Sequence, residues 1–399
     1  MRRRTFLAGL SALGLLPSPL ARAATNRQLV VYWVKGGWDP AYVFDPHFES
    51  SSLDRDPSSY PASVGDLHFA EAESRPAVTR FFQTHSGRCA IINGLAVGSI
   101  SHSQCTRLVL TGRRDDRASD FATALGDISG SELAMPTVVV SGPRFPGDRG
   151  GAQVSLTATL TGTLAGDLPE GAAWSPGEEA ALRSFLIGEA DAMSGPLSEE
   201  FARTLRRRDH LVQDVADIAI GEPTTWRESL RAGLNTLSLG LSRAVVVQGT
   251  LPLLSTWDTH VQNEQQGPNF EHAFNELATL DELLGQLPGP EGGVLADTTM
   301  VLVMSEMGRT PIENLKGGKD HWPFSSLLAY GAGIRGARVH GVTDDILIGQ
   351  PIDFDTGEAA SSGQLLTPAA FAAGLMEAFD VDPELLHPGI PPFRSPFLS

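Results

Sequence analysis

Met300-Val301-Leu302-Val303-Met304 is an unbroken apolar run that stops at Ser305-Glu306-Met307-Gly308-Arg309-Thr310, and Asp320-His321 follows fourteen residues after Glu306. A run of this length without polar alternation reads as a strand of a parallel sheet, covered on both faces, whose polar residues begin where its carboxyl end meets solvent. In open α/β sheets that edge is where ligands bind. The fold and the candidate site are therefore read from the same dozen residues.

Other segments repeat the pattern. Residues 29–34, 89–93, 135–140 and 242–247 are apolar and β-branched enough for strands, while 76–82 and 103–110 have helical spacing. Strands alternating with helices predict a mostly parallel sheet between two helical layers, an α/β three-layer sandwich. Residues 177–240 differ. There Glu179-Ala180-Ala181-Leu182-Arg183-Ser184-Phe185-Leu186 and Glu199-Glu200-Phe201-Ala202-Arg203-Thr204-Leu205 read as amphipathic helices of an insertion. Arg206-Arg207-Arg208 reads as a solvated helix face. Strands resume after it, so residues 24–399 are expected to form one large domain carrying this insertion.

The chain opens on Met1-Arg2-Arg3-Arg4-Thr5-Phe6-Leu7, followed by apolar Leu10-Ser11-Ala12-Leu13-Gly14-Leu15-Leu16 and Ala21-Arg22-Ala23. Arg3-Arg4-Thr5-Phe6-Leu7 fits the twin-arginine export pattern, with cleavage after Ala23. The expectation is a signal peptide at 1–23, passage through the twin-arginine machinery, and a periplasmic or secreted product. The apolar segment is shorter than the roughly 20 residues of a spanning helix. The formal charge is -17, and cleavage removes four arginines and no acid, giving -21. Such acidity argues against nucleic acid as partner. In an oxidising compartment Cys89 and Cys105 have the option of pairing, but two cysteines are no scaffold.

Four polar clusters each follow an expected strand: Gly36-Gly37-Trp38-Asp39, Ser101-His102-Ser103, Trp257-Asp258-Thr259-His260, and the segment from Ser305 to His321. Parallel strands bring their carboxyl ends to one edge, so residues remote in sequence converge there. Asp39, Asp258, His260, Glu306, Asp320 and His321 form a mixed oxygen and nitrogen set suited to zinc, manganese or iron more than to calcium. Asp258 and His260, two apart, point the same way on an extended segment. Each cluster alone also reads as an ordinary turn or loop, with Glu306 paired to Arg309.

Together these motifs resemble, in kind and order, the alkaline phosphatase and sulfatase-like superfamily. A closer resemblance is to an uncharacterised, exported bacterial family classed as a domain of unknown function, number fifteen-oh-one, and grouped with that superfamily. It rests on Gly36-Gly37-x-Asp39, Ser101-His102, Thr111-Gly112, Asp258-Thr259-His260, Ser305-Glu306-x-Gly308-Arg309-Thr310 and Asp320-His321, and covers about residues 28–385. It implies an alkaline phosphatase-like sandwich and a divalent metal, zinc or manganese, held by the six ligands above.

Two positions depart from the superfamily pattern. Its nucleophile precedes the glycine of a Thr-Gly by about ten residues; counting back from Gly112 gives His102. His102 is thus a candidate nucleophile, general base or ligand. Ser101 and Ser103 are candidate nucleophiles beside it, and helix capping is the structural reading of Ser101. Met307 stands where a second-metal histidine is expected, and a thioether is a poor ligand for such ions, so packing is its expected role. Arg309 is the candidate to steady anionic oxygens. The implied function is an exported metal-dependent hydrolase of phosphate or sulfate esters acting on a small or envelope-derived anionic ester. The alternative is a non-catalytic exported protein that binds metal or envelope material.

Overall fold

The computed structural model describes residues 27–130, 132–156, 176–192, 195, 198 and 225–398. The expected signal peptide and, within the expected insertion, residues 199–224 lie outside the described residues. Among the described residues twelve strands run in chain order as β1 (Gln28–Val34), β2 (Tyr60–Val64), β3 (Leu67–Glu71), β4 (Cys89–Ala96), β5 (Thr137–Val139), β6 (Gln153–Ser155), β7 (Ala244–Gln248), β8 (Thr299–Ser305), β9 (Gly308–Arg309), β10 (His321–Trp322), β11 (Phe324–Gly331) and β12 (Arg338–His340). The helices are α1 (Pro76–His85), α2 (His102–Thr111), α3 (Phe121–Ser129), α4 (Pro176–Ala192), α5 (Trp226–Ser238), α6 (Gln266–Gln286) and α7 (Pro368–Ala378).

Eight strands form one sheet in the order β12-β4-β11-β8-β1-β7-β5-β6. β8 pairs parallel to β1 from Gln28 opposite Thr299 to Val34 opposite Ser305, so these strands end level. β11 is antiparallel to both β8 and β4; the other pairings are parallel. The sheet is mostly parallel, as the run at Met300 predicts.

Alternation along the central strands sorts two cores. Val30, Tyr32, Val301 and Val303 face α1, α5 and α6, whereas Leu29, Val31, Leu302 and Met304 face α2, α3 and α7. All seven β8 residues are buried, and each large apolar one stabilises the fold by about 1.5–3 kcal/mol. The result is a three-layer α/β sandwich.

α5 corrects one boundary. Its Leu230, Leu234 and Leu237 sit in the core of the sandwich, so residues 226–238 belong to a main helical layer rather than to an insertion. An amphipathic stripe looks the same in sequence whichever surface it covers. Within the helix α4, which contains the 179–186 pattern, Leu182 and Phe185 are exposed. Cys89 and Cys105 are both free and buried, in cores on opposite faces of the sheet, which rules out the pairing left open above. Among the described residues no helix is long and apolar enough to cross a membrane.

Candidate metal centre

The carboxyl ends of β1, β4, β7 and β8 lead into four loops that meet. After β1 the chain turns through Gly36 and Gly37 at φ +124° and +81°. A Cβ on Gly36 would lie 2.9 Å from Trp257 Cβ, and one on Gly37 2.8 Å from Met307 Cγ, so glycine allows both neighbouring loops to close on this turn. After β4, α2 begins at His102. It stops at Gly112, φ +65°, where a Cβ would come within 2.8 Å of Ala369 Cα on α7. After β8 the chain makes a two-stranded excursion: β9 pairs antiparallel with β10, His321 opposite Arg309. This ribbon is what returns Asp320-His321 to the edge that Glu306 left.

His102, Asp258 and His321 each offer a ligand atom, and these atoms lie within 4.8 Å of one another. His102 Nε2 is 3.3 Å from Asp258 Oδ2, while His321 Nε2 and His260 Nε2 are 3.2 and 3.3 Å from Asp258 Oδ1. The two Nε2 atoms of His260 and His321 are 2.9 Å apart.

The far side of each ring explains the orientation. His102 Nδ1 donates to Glu306 Oε1 at 2.9 Å, His260 Nδ1 to Asp320 Oδ1 at 2.7 Å, and His321 Nδ1 to the Ile100 carbonyl at 2.7 Å. All three partners are acceptors only, so in the neutral rings the proton sits on Nδ1 and the Nε2 lone pairs face Asp258. Three lone pairs and a carboxylate turned toward one another repel, and a divalent cation between them, like protonation of a ring, relieves this. His102 Nε2 is a buried nitrogen without a hydrogen-bond partner, which fits the same reading. Carboxylates and carbonyls behind ligating histidines are the usual way such rings are fixed.

Glu306 and Asp320, expected as ligands, thus stand behind His102 and His260. Glu306 is buried; Oε1 also accepts from the Gly36 N–H at 2.8 Å and Oε2 from Ser305 Oγ at 3.1 Å. The Glu306 hydrogen bond, opposed by partial burial, holds the His102 pKa above its ordinary value. Partial burial pushes Asp258 up, but the Arg309 hydrogen bond and charge, with His321 and His102, outweigh it and bring it down to about 2. The His260 hydrogen bond lowers Asp320.

Asp39 does not join this group. Fully buried, it pairs with buried Lys319 at 2.8 Å, accepts from Asn263 Nδ2 at 2.9 Å, and caps the turn at Ala41 N at 3.1 Å. Arg309 is also fully buried. Nε donates to Gly37 O, Nη1 to Lys319 O, and Nη2 to the Gly36 and Trp257 carbonyls and to Asp258 Oδ1 at 2.7 Å. Nη2 shares its two N–H groups among three acceptors, and the guanidinium, 0% exposed, offers no surface to a substrate oxygen. Arg309 is a brace that positions Asp258.

Ser101 and Ser103 are exposed, their hydroxyls 3.4 Å from each other, and Ser101 makes no side-chain cap. Met307 is buried in the core, as packing requires. Sequence reasoning missed Lys319, Asn263 and Gln266. Gln266 accepts from Asp39 N at 2.9 Å and donates to Trp257 O and Thr259 Oγ1 at 3.0 Å, tying the β1 loop to the β7 loop. An amide at a helix start leaves no such signal in sequence. An open cleft of about 400 Å³ lies at the outer end, lined by His260, Asn314, Leu315, Lys316 and Asp320.

Residues 236–365 match the model of a family described as "Protein of unknown function (DUF1501)". The match takes in β7, β8, β11 and the Asp258, His260, Glu306, Arg309, Asp320 and His321 loops, about a third of the chain. No curated protein gives a significant match. Among solved structures, the chain is similar to Ps i-CgsB in complex with k-i-k-neocarrahexaose, at 9% identity, TM-score 0.42, over 89% of this chain and 72% of that one. It is also similar to BT4656 in complex with its substrate D-glucosamine-2-N,6-O-disulfate, at 8% identity, TM-score 0.34, over 93% and 82%. The PsFucS1 sulfatase from Pseudoalteromonas sp. is a third, at 12% identity, TM-score 0.30, over 83% and 70%.

Proposed function

We propose that the protein is an exported metal-dependent hydrolase of phosphate or sulfate esters, with zinc or manganese held by His102, Asp258 and His321 and flanked by His260. The observation that carries this reading is the shared polarity of the three imidazoles, each anchored through Nδ1 with Nε2 turned on Asp258. A bound divalent ion would supply Lewis-acid polarisation of the ester and acidification of water. The chain's own residues do the rest. Glu306, Asp320 and the Ile100 carbonyl hold the rings in one tautomer, Arg309 keeps Asp258 ionised and aimed, and Gly36-Gly37 lets the loops close.

The exposed Ser101 and Ser103 hydroxyls are paired with each other rather than with His102, so water is the nucleophile in this reading. The ester binds from the open side, where the cleft at His260 and Asp320 begins. Export through the twin-arginine route belongs to the same proposal. Its check is processing after Ala23 in cells and loss of processing in the Arg3→Lys/Arg4→Lys precursor.

The catalytic proposal is tested with 4-nitrophenyl phosphate, bis(4-nitrophenyl) phosphate and 4-nitrophenyl sulfate, assayed on zinc- and manganese-loaded protein. The expected result is metal-dependent turnover of at least one ester, lost at least 100-fold in Asp258→Ala and kept within about threefold in Ser101→Ala/Ser103→Ala. Turnover of none, with stoichiometric metal bound, overturns the enzyme reading in favour of a non-catalytic metal-binding protein.

A further inference from the structure

α2 carries His102 on its first turn and, on its outward stripe, Ser103, Gln104, Thr106 and Arg107. With Leu108 these line an open pocket of about 500 Å³ bordered by Phe145 and by the exposed Arg114 and Asp116. That volume is within the range of small-molecule sites. The walls are held in place. Phe145 N donates to Asp120 Oδ2 at 2.9 Å and Asp120 N to Phe145 O at 2.7 Å, and Asp120 is itself buried. The Arg107 guanidinium lies 4.7 Å from the Phe145 ring centroid and pairs with Asp116 at 2.9 Å.

The charge of this cavity is opposite to that of the chain. In a protein of net charge -17, its lining holds two guanidinium groups and one acid, and that acid is taken by Arg107. Arg114 has a different partner: Nη2 donates to the Gly98 carbonyl at 2.8 Å. A guanidinium has five donors, and among the described residues no carboxylate pairs with this one. Gly98 belongs to the loop that delivers His102, so Arg114 is tethered to that loop. The Ser103 hydroxyl and the Gln104 amide N–H add neutral donors along the way, while the Thr106 hydroxyl is spent on the His102 carbonyl at 2.7 Å. Arginine forks in concave sites suit phosphate, sulfate and carboxylate.

We propose that this cavity is a second anion subsite, which receives a further phosphate, sulfate or carboxylate group of the ester substrate while the scissile ester lies at the metal centre. The preferred substrates are then polyanionic. Arg114 is the residue that sets this preference, and Arg107 with Phe145 forms the fixed wall. The identity of the ligand as a substrate rests on the hydrolase proposal above; binding of a dianion does not.

The test is equilibrium binding by calorimetry, on the metal-loaded full chain, of alkane-α,ω-disulfonates with two to six carbons against the matching monosulfonates. Scanning the spacer finds the separation of the two subsites. In the wild type one spacing binds about tenfold more tightly than its monosulfonate, as one charge-assisted contact provides. Arg114→Ala cuts that advantage to under twofold without changing monosulfonate affinity, and Arg114→Lys keeps part of it. Arg114→Gln, with its thermal midpoint measured, stands in if the alanine variant folds poorly. No spacing with more than a twofold advantage, or an advantage that survives both neutral substitutions, overturns the proposal. Turnover is not read here, so an inactive protein that still shows the Arg114-dependent preference defeats the hydrolase reading and leaves the subsite standing.

Discussion

Lys319→Met removes the cation from a pair in which both side chains are fully buried and Lys319 Nζ lies 2.8 Å from Asp39 Oδ2. Lys319 Nζ also donates to Asp54 O at 2.6 Å, so the substitution orphans a carbonyl as well as a carboxylate. Breaking a buried pair from one side costs about 3–5 kcal/mol, because the remaining charge has left water without compensation. Asn263 and the Ala41 N–H still reach Asp39, which places the expected loss near the lower end, about 3 kcal/mol. Asp39→Asn/Lys319→Met removes the charge mismatch and should recover about 1–2 kcal/mol of that loss, a coupling of the size expected for contacting residues. Urea unfolding followed by tryptophan fluorescence, at fixed metal content, measures all three variants. A single-variant loss under about 1 kcal/mol, or a double variant as unstable as the two singles added together, refutes the assignment of Asp39 to Lys319. Asp39→Asn should also keep stoichiometric metal, whereas a ligand at this position would lose it.

Arg309→Lys keeps one charge but replaces a five-donor fork with three donors, stranding buried carbonyls; it should destabilise by about 2–4 kcal/mol and weaken metal affinity at least tenfold, and wild-type affinity would refute the brace. Buried His340 and His387 have pKa values lowered to about 4, by burial first, with Arg113 adding for His387 and nearby arginines for His340. Because the unfolded chain takes up these protons near pH 6.5, their stability is fully present above that pH and is lost as pH falls toward 4, about 3 kcal/mol for each. His340→Gln should therefore show a shallower fall in unfolding free energy between pH 6.5 and 4, and an unchanged slope contradicts the assignment. Gly112→Ala forces a Cβ against the His387 ring and Ala369 in a left-handed turn, and should cost at least about 1 kcal/mol in thermal unfolding.

The sheet was legible because its strands are apolar throughout and their ends are abruptly polar, as at Met304-Ser305. The convergence of Asp258, His260, Glu306 and His321 followed from that, since parallel strands share an edge. What the order of residues does not carry is which atom faces which. Glu306 and His321 are equally ligand-like in sequence, yet one stands behind a ring and the other in front of Asp258. Lys316-Gly317-Gly318-Lys319 has the composition of a surface turn, but Gly318 packs against the His260 backbone and takes Lys319 into the interior. The strands of the returning ribbon are two residues long, below any detectable period. Arg309 has the charge of an anion binder, and only its five carbonyl and carboxylate partners show that it is spent on the fold.

The central claim is that three imidazoles and Asp258 are arranged around a divalent ion. Metal analysis of the purified chain after zinc or manganese loading and gel filtration tests it most directly. The account predicts at least about one equivalent in the wild type and in Asp39→Asn, falling below about 0.2 in Asp258→Ala/His321→Ala. Less than a tenth of an equivalent in the wild type, with no rise in thermal midpoint on adding either metal, contradicts it.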